Sequence, residues 1–174
     1  MNLEEALLNI PIERLVSISS FYGIALPNNT GCDKNKFASS LASSVSEHLL
    51  VPANVLVAMN GLDEEEMTAL RLITLSGGGS GVVVEQCHQK LNQLSRKWRR
   101  NGFKVIVALI NRGLVFSKRE DYRQMYYVPQ DLRDILADFF LTRIFDKIGS
   151  DPARFYPRHV VDHAAPLRHV CLFL

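Results

Sequence analysis

The side chains best suited to metal binding or proton transfer gather near the C-terminus: His159, Asp162, His163, His169 and Cys171. His159 and His163 stand four apart, a spacing that turns two imidazoles toward one ion when the segment is helical. Pro157 and Pro166 leave only eight residues between them, too few for a secure helix. A His-x-x-x-His pair with no further ligand motif also arises readily by chance. No metal site is expected from it. Cys87 and His88 are neighbours and so point in different directions, which makes Cys87 a core residue rather than a ligand. Cys32, Cys87 and Cys171 are odd in number, widely spaced and free of any Cys-x-x-Cys pattern. That excludes a zinc ribbon and argues against the disulfide framework of a small secreted protein.

Catalytic constellations fare no better. Glu64, Glu65 and Glu66 are adjacent carboxylates, but they follow Asp63 and so have the form of a helix start, with Asp63 capping and the acids facing the positive end of the helix dipole. The run Gly77-Gly78-Gly79-Ser80-Gly81 lacks the Gly-Lys-Ser/Thr ending of a phosphate-binding loop and reads as a flexible turn. No serine sits in a nucleophile elbow. The expectation is a protein without enzymatic activity and without a cofactor.

The informative chemistry is positive charge. Residues 1–85 hold ten acids and four bases, whereas residues 86–119 hold nine bases and no acid; the remaining residues are near balance, with eight acids and seven bases. A formal net charge of +2 conceals this segregation. The bases are Lys90, Arg96, Lys97, Arg99, Arg100, Lys104, Arg112, Lys118 and Arg119, with Arg123 shortly after. A concentration of one sign repels itself and gains from a polyanion, because phosphate neutralisation releases condensed counterions. Nucleic acid is the expected partner, DNA before RNA.

Which elements would carry these bases follows from apolar spacing. Val84, Cys87, Leu91, Leu94 and Trp98 recur at helical intervals and predict one helix with Lys90 and Lys97 off its inner face. Arg99-Arg100-Asn101-Gly102 predicts a basic turn, and Phe103 to Arg112 a further helix closed by Gly113 in the left-handed conformation. Val105, Ile106, Leu109 and Ile110 point inward on it. Asn101, Lys104, Ala108, Asn111 and Arg112 form its polar stripe. Leu114 to Arg119 and Tyr122 to Val128, with Glu120-Asp121 as the turn, predict a β-hairpin whose tip bears Lys118, Arg119 and Arg123. Ahead of this, the helix begun at Asp63 buries Met67, Leu70, Ile73 and Thr74. Behind it, Pro129-Gln130-Asp131 opens a long helix ending near Gly149, with Leu132, Ile135, Leu136, Phe139, Phe140 and Ile144 as a wide apolar stripe. Three helices and a hairpin form a winged helix-turn-helix, within a mainly α chain.

The N-terminal part predicts two helices, carrying Leu15, Ile18 and Phe21, then Phe37, Leu41, Val45 and Leu49, around the turn Pro27-Asn28-Asn29-Thr30-Gly31. Val51-Pro52-Ala53-Asn54 and Asn60-Gly61 mark a packed connection. The expected domains are a helical subdomain at 1–55, a winged-helix domain with an extra helix at 62–149, and a tail at 150–174.

Composition agrees with a folded chain, at 47% hydrophobic and 22% charged residues. The N-terminus is acidic and amphipathic, unlike a signal peptide, and no run is long enough to span a membrane. An intracellular location, cytoplasmic or nuclear, is expected, with no membrane partner. The apolar stripe of the long helix either packs back on the N-terminal unit or buries against a partner; in the second case Phe139, Phe140 and the apolar tail Val170-Cys171-Leu172-Phe173-Leu174 are the docking surface for a protein partner or a second copy.

Two resemblances rest on these residues. Gly23-Ile24-Ala25-Leu26-Pro27, followed by Gly31, Lys34, Phe37 and a helix, resembles a SAP-type or Rho-N-terminal-like motif, although it has few of that family's basic residues. The stretch from Glu65 to Phe140 resembles the helicase-associated winged-helix module found beside xeroderma-pigmentosum-B-type helicases. It does so through Leu72-Ile73-Thr74-Leu75-Ser76-Gly77-Gly78, Arg112-Gly113-Leu114-Val115 and Tyr127-Val128-Pro129-x-x-Leu132-Arg133. No helicase motor motif accompanies it. The resemblance implies an accessory that grips DNA, with Lys104, Asn111 and Arg112 toward a groove and Lys90, Arg96, Lys97, Arg99, Arg100, Lys118, Arg119 and Arg123 on phosphates.

Overall fold

A computed structural model describes residues 1–27, 33–76, 80–94 and 98–149, the side chains of 99–101 and 143–149 excepted. The chain is mainly helical with one small antiparallel sheet. Its elements, in order, are α1 (Leu3–Leu8), α2 (Ile12–Phe21), α3 (Lys34–Leu49), α4 (Pro52–Asn60), α5 (Glu64–Ser76), β1 (Val82–Val83), α6 (Val84–Leu94), α7 (Trp98–Asn111), β2 (Phe116–Glu120), β3 (Arg123–Tyr127) and α8 (Gln130–Gly149). Residues Met1–Phe140 form one compact unit, which ends before Leu141.

Within the first unit, helix ends are set by the residues that punctuate the sequence. The Asp63 carboxylate accepts from the Glu66 N–H at 2.7 Å, and the Glu66 carboxylate accepts from the Asp63 N–H at 3.1 Å, so the acids that start α5 close a reciprocal capping box. At the end of α7, Gly113 takes φ +68°, while its N–H reaches the Ile110 carbonyl and the Leu114 N–H that of Leu109. This is the Schellman termination, and the glycine is required by backbone sign.

The expected connection at Val51–Gly61 is itself the helix α4, begun by Pro52 at its first position, where a missing N–H costs nothing. Its Val55 and Met59 join a hydrophobic cluster that runs from Leu3 to Phe140. The helices before and after α4 thus share one core within the Met1–Phe140 unit. Leu7, Ile18, Leu41 and Leu49 from the N-terminal helices share this cluster with Leu70, Leu91, Ile106, Leu109 and Leu132. Each such fully buried side chain contributes about 1.5–3 kcal/mol.

The sheet has the order β1-β3-β2. Strand β1 was not expected: Gly77–Gly81 reads as a turn, yet the chain leaves Gly81 as a strand, pairing Val82 with Tyr126 and Val83 with Met125. Gly81 permits this because a Cβ there would lie 2.6 Å from the Tyr126 carbonyl oxygen and 2.9 Å from the Tyr127 Cβ. Gly77–Gly79, Cys32 and the turn at 28–31 lie outside the described residues. A second difference concerns Trp98, expected at the end of one helix with Val84. Helix α6 stops at Leu94, which is exposed, and Trp98 opens α7, its indole lying against Gly102, where a Cβ would sit 2.6 Å from the ring.

The N-terminus is tied to the start of α8. The Leu3 N–H donates to both Asp131 carboxylate oxygens at 3.0 Å, the Met1 carbonyl accepts from the Gln130 N–H at 3.2 Å, and the Tyr127 hydroxyl donates to the Met1 sulfur at 3.0 Å. No single described helix is long and apolar enough to cross a membrane.

Candidate nucleic-acid interface

The β2–β3 hairpin projects basic side chains because its strands are in strict register, Phe116 opposite Tyr127 at the root and Glu120 opposite Arg123 at the tip. Phe116, Tyr126 and Tyr127 are buried and anchor the root, Tyr126 edge-on to the His88 ring of α6 at 6.0 Å. Burial pushes the Tyr126 and Tyr127 phenols above the ordinary tyrosine value.

Toward the tip the side chains emerge. The Lys118 ammonium lies 2.8 Å from the Glu120 carboxylate and 5.6 Å from the centre of the Tyr127 ring, so it is partly committed within the hairpin. Arg119 and Arg123 are exposed, and no hydrogen bond or ion pair among the described residues holds either guanidinium. They border an open depression of about 650 Å³, shared with Ser117, Lys118, Tyr122 and Gln124 and reaching Val83 and Glu85.

The turn is displaced by one residue from expectation. Asp121 and Tyr122, not Glu120 and Asp121, are the central pair, at φ +48° and +64°. Positive φ at both positions is the backbone of a type I′ turn, which matches the twist of the flanking strands. Tyr122 is 93% exposed there.

Of the other bases singled out from sequence, Lys90 on α6 and Lys104 on α7 are exposed, as is Asn111. Arg99 and Arg100 fall within α7 rather than in a turn before it, and their side chains are not described. Arg96 and Lys97 lie outside the described residues.

Arg112 does not share the situation of the exposed bases. Its guanidinium donates to the Gly61 carbonyl at 2.8 Å, approaches the Glu66 carboxylate at 3.4 Å and covers the Phe21 ring at 5.5 Å. Its own carbonyl accepts from the Tyr22 hydroxyl at 2.7 Å. Burial raises the Tyr22 phenol well above its ordinary value, with Arg112 pulling partly the other way. Arg112 therefore ties α2, α4 and α5 to the end of α7, in place of the groove-facing role its spacing suggested.

Phe140 is 5% exposed and belongs to the core cluster, with Phe139 half-buried against it, so this pair does not form an open docking face. Residues 170–174, the other half of that expected surface, and the His159/His163 pair lie outside the described residues. Among the described residues no three His, Cys, Asp or Glu side chains converge as metal ligands. Cys87 is buried, and burial pushes its thiol up to about 11, with Lys90 opposing weakly.

Sequence reasoning missed Tyr122, Gln124 and Phe103. Phe103 is 72% exposed on α7 beside Lys104. The available signal was strand alternation: Phe116 and Tyr127 as a cross-strand pair would have set the turn at 121–122.

Comparison with known proteins finds no matching family, no matching curated protein and no matching solved structure.

Proposed function

We propose that the chain binds nucleic acid, duplex DNA in the first place, as a non-catalytic accessory or regulatory protein with little sequence preference. The observation that carries this reading is the pair of exposed, unpartnered guanidiniums of Arg119 and Arg123 on a projecting hairpin, at the end of a segment with nine bases and no acid. In support, the order of three helices and a hairpin, with a short strand between the first two helices joining the sheet, is read as a winged helix in which α7 is the recognition helix and the hairpin the wing. Lys104 on α7, Lys90 on α6 and the wing arginines are then phosphate contacts, with Asn111 on α7 an exposed amide available to a base edge. Arg112 is removed from that set, because it is occupied within the fold. The accessory role rests on the resemblance of residues 65–140 to helicase-associated modules.

The test is a fluorescence-anisotropy titration of the full chain with duplex DNA, single-stranded DNA and RNA at low and physiological salt. Binding that weakens steeply with salt is expected, and each phosphate-contacting base removed flattens the logarithmic salt slope by about one. Salt-insensitive binding, or none, would refute the proposal.

A further inference from the structure

We infer that the nucleic acid this chain prefers carries unpaired nucleotides next to a duplex, and that the Tyr122 ring is the platform on which the first unpaired base stacks. The inference rests on the nucleic-acid reading above and names the substrate form.

Three observations converge at the hairpin tip. Tyr122 is 93% exposed, and no ring contact among the described residues covers it. It occupies a backbone position with φ +64°, which a bulky side chain adopts at a cost of about 1–2 kcal/mol and which glycine fills freely. The preceding Asp121, also at positive φ, is a residue type that tolerates that region, so the turn already has half of the Asp-Gly pair favoured in type I′ hairpins. Tyrosine thus stands where folding favours glycine and where no packing rewards the ring. Strain retained at an exposed position points to use of the side chain outside the fold.

Charge alone does not account for the tip. Lys118, Arg119 and Arg123 face Glu120 and Asp121, a net of one positive charge, and Lys118 is already paired with Glu120. A ring flanked by two free guanidiniums supplies what one net charge lacks: stacking on a base, with phosphates on either side held by Arg119 and Arg123. Stacking needs a base face, and a closed duplex offers one only where pairing ends. Independently, the two most exposed aromatic rings among the described residues are Phe103, beside Lys104 within the basic segment 86–119, and Tyr122, three residues beyond the end of that segment and between Arg119 and Arg123 in the chain. Alternation of rings and cations is how single strands are gripped without sequence reading.

The experiment compares the full-length chain with its Tyr122→Gly and Tyr122→Phe variants. Each is titrated with a blunt DNA duplex and with the same duplex bearing a single-stranded overhang whose first unpaired base is 2-aminopurine. The wild type should bind the overhang form more tightly and change the 2-aminopurine emission. Tyr122→Gly should lose about 5- to 100-fold in affinity for the overhang form while keeping its affinity for the blunt one. Its Tm should hold or rise, because glycine relieves the turn. Tyr122→Phe should behave as wild type. Equal wild-type affinity for the two duplexes, or a Tyr122→Gly variant that still discriminates between them, overturns this inference and leaves the binding function standing. Binding to neither duplex overturns both.

Discussion

Arg112 and the arginines of the β2–β3 hairpin, Arg119 and Arg123, stand within eleven residues of one another yet meet opposite surroundings. The Arg112 side chain is 19% exposed, with a carboxylate, a carbonyl and an aromatic ring around its guanidinium. Those of Arg119 and Arg123 stand in solvent at the edge of an open depression. Arg112 holds helices together through a planar group that satisfies several partners at once. The hairpin arginines hold nothing among the described residues, so their charge remains available. A basic stretch is therefore not a single functional object, and partners within the fold decide which of its members can meet a ligand.

The largest expected effect breaks this comparison on the stability side. Arg112→Ala leaves Glu66, whose side chain is 10% exposed, without its cation, and strips the Gly61 carbonyl of its donor. A loss of about 2–3 kcal/mol is expected, below the range for fully buried pairs because some water reaches this one. Chemical denaturation measures it. A variant as stable as wild type would place Arg112 with the hairpin arginines instead.

Next comes the hairpin itself. Arg119→Ala with Arg123→Ala should leave stability within about 0.5 kcal/mol of wild type, since exposed residues without partners contribute little to folding. The same double variant should flatten the salt dependence of DNA binding by about two logarithmic units. Anisotropy titrations at several salt concentrations read the slope. Unchanged binding would show that the free arginines are not phosphate contacts.

How far this contrast could be read from sequence depends on the kind of information each feature needs. Asp63, Gly113 and Pro129 announce their elements through local backbone chemistry, and α5, the end of α7 and the start of α8 follow from them. Strand β1 has two residues, too short for alternation to show, and its pairing with β3 depends on a close approach at Gly81 that no local pattern reveals. Helical periodicity put Arg112 on the stripe of Lys104 and Asn111. Its actual partners, Gly61, Glu66 and Phe21, lie 51, 46 and 91 positions away in the chain. Spacing identifies a face of a helix, but it cannot say what another helix brings to that face. The same limit applies to Phe140: its apolar stripe was legible with two outcomes, packing back on the N-terminal helices or burial against a partner, and the fold places Phe140 in the core cluster.

A smaller effect, shared by the helices and the root of the hairpin, is read through pH. Cys87, Tyr22, Tyr126 and Tyr127 all have raised pKa values in the fold, with burial the leading cause. The folded state keeps their protons to higher pH than the unfolded chain does. Their contribution is thus complete below the ordinary thiol value of 9.0 and is lost as pH rises toward the folded value of about 11 for Cys87, with the tyrosines extending the loss upward. Tm should fall progressively across this alkaline range, and Cys87→Ala should make the fall shallower. A Tm independent of pH there would contradict the burial of these groups.

The smallest effect tests whether the Arg112 junction is one network or two. The Tyr22 hydroxyl donates to the backbone carbonyl of Arg112, not to its side chain, so Arg112→Ala leaves that bond in place. Tyr22→Phe deletes the donor while keeping the ring that packs edge-on to Phe21 and beside His48. A cost of about 1 kcal/mol is expected from the lost hydrogen bond. Combined in one chain, the two substitutions should sum to within about 0.5 kcal/mol if the hydroxyl and the guanidinium act separately. Strong coupling would instead mean that the Tyr22 bond orients the residue whose guanidinium joins Gly61 and Glu66. The end of α7 would then be positioned by a single cooperative cluster, and the hairpin that follows it would inherit its placement from Tyr22 as much as from Arg112.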